Sequence, residues 1–267
     1  MKNEHVDLEF TKRYYGRFSA LRPKMLENAR KSSQELGKFM NRAFHDAACE
    51  QHLGLADRWP VSLKLGVEAG LAMFICAASP GQPLTFELGG EAVSQQAQIS
   101  PDQVHTGRWE KVFYGASILG DSDSLRTLCS FPLSLALTSP TVGEAVDELW
   151  VRVLHTLATT GRFDADLMTR ALECTDPSKL PDDVVDLTLY LTVPCLDLLF
   201  RLAMNDAPGF QKALEQALDK HRRYWGSPEN ATDPTGFVSW PLSALVAMAQ
   251  TRGMSVPLQH PYLLRLP

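Results

Sequence analysis

The chain has 267 residues, with 26 Lys and Arg against 31 Asp and Glu, so its formal net charge is −5. Hydrophobic residues make up 45% and charged residues 21%, which fits one large or two small folded domains and excludes disorder. Five cysteines at 49, 76, 129, 174 and 195 form no CxxC pair, which excludes a thiolate zinc site and makes a disulfide framework unexpected.

The N-terminus, MKNEHVDLEF, is acidic and lacks an apolar core, so no secretory signal is expected. The longest apolar run, Ala69 to Ala78 interrupted by Gly70, falls short of the ~20 residues of a membrane span. The expectation is a reduced, cytoplasmic, soluble protein with no membrane partner. Residues 1–45 hold ten Lys and Arg against five acids, a net +5, which leaves −10 for residues 46–267. Residues 1–20 are read as a loosely packed arm. The acidic body disfavours nucleic-acid binding, which needs a cationic footprint, and favours a basic protein partner.

In chain order, Arg22 to Leu53 carries apolar residues at three- and four-residue steps and reads as one long amphipathic helix. Trp59 to Ser79 is a second helix, apolar on most sides, and therefore expected in the core. Leu84–Leu88 and Glu91–Gln95 flank Gly89-Gly90, a β-hairpin over 84–95. Ser100-Pro-Asp-Gln103 reads as a capping box opening a helix that runs to Gly120. Asp121 then caps a shorter helix. Thr141-Val-Gly-Glu144 opens the next long helix, with Val142, Val146, Leu149, Trp150, Val153 and Leu157 on its buried face, ending at Gly161 before Asp164 starts a short partner. Asp182 begins a third long helix, read as central, apolar all round and kinked at Pro194. The starts at 100, 141 and 182 are 41 residues apart. An all-α fold follows, either a multi-helical bundle or a short helical-hairpin stack, as one domain over 1–267. The last helix, Ser239 to Arg252, leads into a proline-rich tail that lies extended on the body.

Several patterns invite chemistry. Asp182-Asp183-Val-Val-Asp186 matches the DDxxD of Mg²⁺-dependent diphosphate enzymes, but no second metal motif accompanies it, and acids in a first turn suit the helix dipole without metal. His45, Cys49 and His52 share one helical face, which is otherwise the apolar face, so packing outweighs zinc ligation. In HRRYW, from His221 to Trp225, helical phasing places His221 and Trp225 on the packing face and pairs Arg223 with Asp219. There is no GxSxG, Walker A, GxGxxG or HExxH pattern. No catalytic residue, metal or cofactor is assigned.

The C-terminal third carries a resemblance. The run FQKALEQALDKHRRYWG precedes a polar loop and then GFVSWPLSALVAMAQTRGMSVPLQHPYLLRLP. It resembles the C-terminus of the immunity 49 family of bacterial polymorphic-toxin immunity proteins. Tyr224-Trp225 correspond to the family's aromatic pair, Pro241-Leu242 and Arg252-Gly253 to its last helix and exit, and Pro261-Tyr262-Leu263 to its end. EAGLAMFICAA from Glu68 and the glycine hairpin fit its layout. The resemblance implies an all-α, non-enzymatic protein that binds and neutralises a cognate secreted toxin. A helical-repeat scaffold is the second reading and a DDxxD synthase the third. For a basic toxin, possible contacts are the acids at the helix starts: Asp121, Asp123, Asp164, Asp166, Asp182 and Asp183, which a 41-residue stack would align along one edge.

Overall fold

Asp7 accepts the backbone N–H groups of Glu9 and Phe10 and so starts α1 (Leu8–Ser19). Pro23 lies in the first turn of α2 (Arg22–Lys31), where its missing N–H costs nothing. In this computed structural model, which describes residues 6–137 and 145–264, the helix expected from 22 to 53 is two helices. Ser32 is extended (φ −146°, ψ 124°), and a single 3₁₀ turn precedes α3 (Leu36–His52). The cause is tertiary: the Ser33 hydroxyl donates to the Gln98 carbonyl at 2.8 Å and accepts the Gln98 N–H at 2.9 Å.

α4 (Trp59–Ala78) packs between α3 and α5 (Thr106–Leu119). A Cβ at Gly66 or Gly70 would overlap Phe44 or Val112, so bare backbone sets the close approach of these helices. By length and composition α4 could cross a membrane, which the sequence expectation had denied from its uninterrupted run alone. More than half of its apolar window (56%) is buried against the rest of the protein.

β1 (Pro83–Leu88) and β2 (Glu91–Gln96) pair antiparallel with Phe86 opposite Val93, around the positive-φ pair Gly89 and Gly90. Arg30 donates to the carbonyls of Leu88 and Gly89, and the Gly89 N–H donates to Glu68. The hairpin is thereby pinned to α2 and α4.

The capping box at Ser100 does not form. The Ser100 hydroxyl bonds the Asp102 carboxylate, and the Gln103 amide donates to Gln34. A 3₁₀ turn over Pro101–Gln103 results, and α5 starts only at Thr106. Gly120 (φ 64°) ends α5 and Gly161 (φ 67°) ends α8 (Ala145–Thr160). α6 (Ser122–Ser130) and the single-turn α7 (Ser134–Leu137) lie between them, and α9 (Ala165–Glu173) follows. Val146, Leu149, Trp150, Val153 and Leu157 are buried as expected. The capping box Thr141–Glu144 and Val142 fall outside the described residues.

The third long helix differs most from expectation. α10 (Asp182–Leu187) buries no residue, residues 188–192 form a π-helical turn, and α11 (Val193–Ala203) buries one face. Leu187 and Phe200 are 40% and 42% exposed, and Leu191 is only half-buried. The segment is therefore not packed all round. The π turn ends at Thr192, two residues before Pro194, which has no N–H for the Tyr190 carbonyl. Loosened carbonyls find other donors: Lys220 Nζ reaches Leu189 O at 3.3 Å and Cys195 Sγ reaches Leu191 O at 3.1 Å.

α12 (Ala207–Trp225) packs on α11 and buries Phe210, Leu214, Ala217, Leu218 and His221. Hairpin units do contact one another in chain order, α5/α6 on α8, then α9 on α11, but α13 (Trp240–Thr251) returns to pack on both α5 and α11. That closure makes an all-α bundle. The 41-residue rhythm also lapses, because Leu202 stands where a third glycine would recur and the positive φ (53°) falls at Asn205. The tail lies on the body as expected. Tyr262, Leu263 and Leu264 are buried, the Ser239 N–H donates to Tyr262 O at 2.8 Å, and Gln51 donates to Leu263 O at 3.1 Å.

Candidate functional site

The six aspartates divide by role. Asp121 accepts the Ser124 N–H at 3.0 Å and Asp164 the Leu167 N–H at 2.9 Å, so both cap their helices. Asp182 does not cap; α10 follows Pro181 with no side-chain cap. Asp123 pairs with Arg126 at 3.1 Å, both exposed. Asp166 and Asp183 are exposed. The starts of α6 and α9 flank the end of α8. Ser122, Leu125 and Cys129 share a groove with Ala158 and Thr159, and Asp164 and Asp166 share the next with Thr156, Thr160 and Phe163. Neither groove includes Asp182 or Asp183.

Among the described residues, no three His, Cys, Asp or Glu are grouped to hold a metal. His45, Cys49 and His52 have other surroundings. The Tyr14 hydroxyl is 3.3 Å from His45 Nδ1, and burial pushes His45 down to about 4. Burial pushes the Cys49 thiol up to about 12. His52 Nε2 meets the Phe237 carbonyl. His221 Nε2 lies 3.0 Å from Gly236 O, and Arg223 pairs with Asp219 at 2.8 Å.

Two features escaped the sequence reading. The first is a buried ionic cluster on α3. Arg42 Nη2 donates to Asp46 at 2.5 Å, and Arg22 reaches Glu50 at 3.4 Å and the Ser62 hydroxyl at 2.6 Å. Tyr15 donates to Glu50 at 2.7 Å. Asp46 and Glu50 are wholly buried. This cluster ties α1 and α2 to α3 and α4, where a loosely packed arm was expected. The spacing Arg42, Asp46, Glu50 on a face that is otherwise apolar was the available signal.

The second is a cavity of about 240 Å³ between α5, α8, the π turn and the start of α13, lined by Glu110, Lys111, Tyr114, Asp147, Trp150, Leu191, Cys195 and Trp240. Trp150 Nε1 donates to the Tyr114 oxygen at 2.6 Å, and the Tyr114 hydroxyl donates to Glu110 Oε2 at 3.1 Å. Burial first, and Asp147 second, push Glu110 up to about 8. Burial and Glu110 push the Cys195 thiol up to about 12. A charged Glu-Lys pair in the middle of α5, between Trp109 and Val112, was the available signal. Beside it lies a second cavity of about 180 Å³, lined by Tyr190, His221, Trp225, Trp240 and Pro241. The aromatic end of α12 and the proline start of α13, which carried the resemblance, thus meet in space.

Comparison with known families decides the identity. The family described as immunity protein 49 matches residues 52–263. The chain belongs to the immunity protein 49 family. No curated protein and no solved structure gave a match. The matched region begins at His52, so α1, α2 and nearly all of α3 precede it. The ionic cluster therefore joins that preceding segment to the family region, through Arg22 and Ser62 in particular. The second cavity and α13 lie wholly within this immunity-protein region.

Proposed function

We propose that this chain is the resident antidote to a secreted bacterial toxin of the polymorphic type, and that it acts in the cytoplasm by stoichiometric binding rather than by catalysis. The observation that carries the reading is the family match across residues 52–263. The −10 carried by residues 46–267 supports a basic toxin domain, such as a nuclease whose cleft is built for phosphate. Exposed Asp123, Asp166 and Asp183 would then contribute to the encounter. Co-expression with the product of the adjacent toxin gene tests it. A one-to-one complex and rescue of toxin-arrested cells are expected; free toxin in the presence of a folded chain would overturn the reading.

A further inference from the structure

We propose that the cavity of about 180 Å³ at the start of α13 is a binding site for one small aromatic carboxylate, its head group held by the Ser239 hydroxyl and the first backbone N–H groups of α13, its ring walled by Tyr190, Trp225 and Trp240.

The start of α13 presents donors without acceptors. The Ser243 N–H returns to the Ser239 carbonyl, and Pro241 has no N–H. The N–H groups of Trp240 and Leu242 come before it, and neither meets an acceptor among the described residues. Both residues are buried and both line the cavity. Ser239 is an independent observation. It holds the N-cap position, where a hydroxyl ordinarily accepts an N–H of the first turn, yet it makes no such bond. The residue is only 3% exposed and lines the cavity, and its hydroxyl has no hydrogen-bond partner among the described residues. Buried polar groups are nearly always paired. A buried hydroxyl that leaves its own helix uncapped beside a cavity marks where a ligand oxygen fits.

Charge selects an anion. No Asp or Glu lines this cavity among the described residues, although residues 46–267 carry −10. Asp233, two residues before Thr235 of the wall, turns its carboxylate to the Thr235 N–H at 2.8 Å. The positive end of the α13 dipole opens on the cavity, which favours a carboxylate there. Size and lining select the rest of the molecule. A cavity near 150 Å³ already holds benzene, so this one has room for a single ring and its head group. Tyr190, Trp225 and Trp240 offer ring faces and edges to an aromatic body, whereas an inorganic anion would leave that surface unmatched. The ligand is a free small molecule, so the site stands apart from the antidote reading.

The test titrates the full chain with benzoate, with its neutral counterpart benzamide and with inorganic phosphate, following tryptophan fluorescence and calorimetry at pH 7. Saturable one-to-one benzoate binding is expected, at least about tenfold tighter than either of the other two. Ser239→Ala removes a hydroxyl that caps nothing, so the fold should survive, and benzoate binding should weaken by at least about tenfold. Ala217→Leu, which fills the cavity from α12, should abolish it, and the exposed hairpin control Ser94→Ala should leave it unchanged. No saturable benzoate binding, equal binding of benzamide, or unaltered benzoate binding by Ser239→Ala with native circular dichroism would overturn the proposal.

Discussion

The hydroxyl of Tyr15 lies 2.7 Å from Glu50 Oε1 and donates to it, across 35 residues of chain and inside the protein. Glu50 is wholly buried, and its other oxygen has no hydrogen-bond partner among the described residues. Tyr15→Phe therefore removes a donor from a buried carboxylate that, among the described residues, has only Arg22 to replace it. A loss of about 1–3 kcal/mol is expected in urea unfolding. A change under about 0.5 kcal/mol would mean that the cluster does not hold the first helix.

Glycines give a paired prediction. A Cβ at Gly115 would lie 2.7 Å from Val67 Cγ2 and 2.9 Å from Phe44, so Gly115→Ala should cost about 1–3 kcal/mol by overpacking. Gly16, within α1, has nothing among the described residues within 4 Å of its Cβ position. Gly16→Ala should instead stabilise by about 0.5–1 kcal/mol, because it lowers the entropy cost of forming the helix. Chemical denaturation of both variants reads the difference in sign.

Glu110 makes stability fall with rising pH. Its folded value of about 8 lies above the ordinary carboxylate range, so the unfolded chain loses this proton first. The contribution is complete below about pH 4.5, declines from there, and stops declining above about 8. Glu110→Gln should flatten that part of the stability profile and become the more stable protein at the alkaline end. An identical slope in the variant would place the group in a different environment.

His45 has the opposite sense. Burial, with Lys111 and Arg42 nearby, holds it at about 4, so it is neutral in the fold while the unfolded imidazole takes up a proton near 6.5. Its contribution is fully present above about pH 6.5 and is lost as pH falls towards 4. Replacing His45 with Gln should remove acid sensitivity in that window, as measured by thermal unfolding between pH 4 and 7.

At the surface, the triple change Asp123→Asn, Asp166→Asn and Asp183→Asn should slow association with the cognate toxin at low salt, with a deficit that shrinks as salt screens the field. Asp121→Ala and Asp164→Ala should instead cost about 0.5–2 kcal/mol of stability each, because both side chains cap helices. Stopped-flow binding against denaturation separates the two effects. An unchanged rate at low salt would move the interface elsewhere.

The sequence by itself determined what is decided within a few residues. Gly120, Gly161 and Gly253 end helices with positive φ, and Gly89-Gly90 turn the hairpin, because only glycine enters that backbone region without a Cβ penalty. Apolar periodicity likewise located the buried faces of α4, α8 and α12, and a tail segment placed the chain near its family. Tertiary structure decided the rest. Ser32 breaks a continuous amphipathic pattern because the Ser33 hydroxyl gains two partners beyond the hairpin. Ser100 and Gln103 have the residues of a capping box, but their side chains bond Asp102 and Gln34 instead. The apolar girth of residues 183–203 suggested a helix packed on every side, whereas part of that surface lines cavities and part is exposed. Glu110, Asp147, Leu191 and Trp240 come from four separate elements of a closed bundle. Their encounter depends on α13 returning to α5, a long-range packing choice that no local pattern encodes.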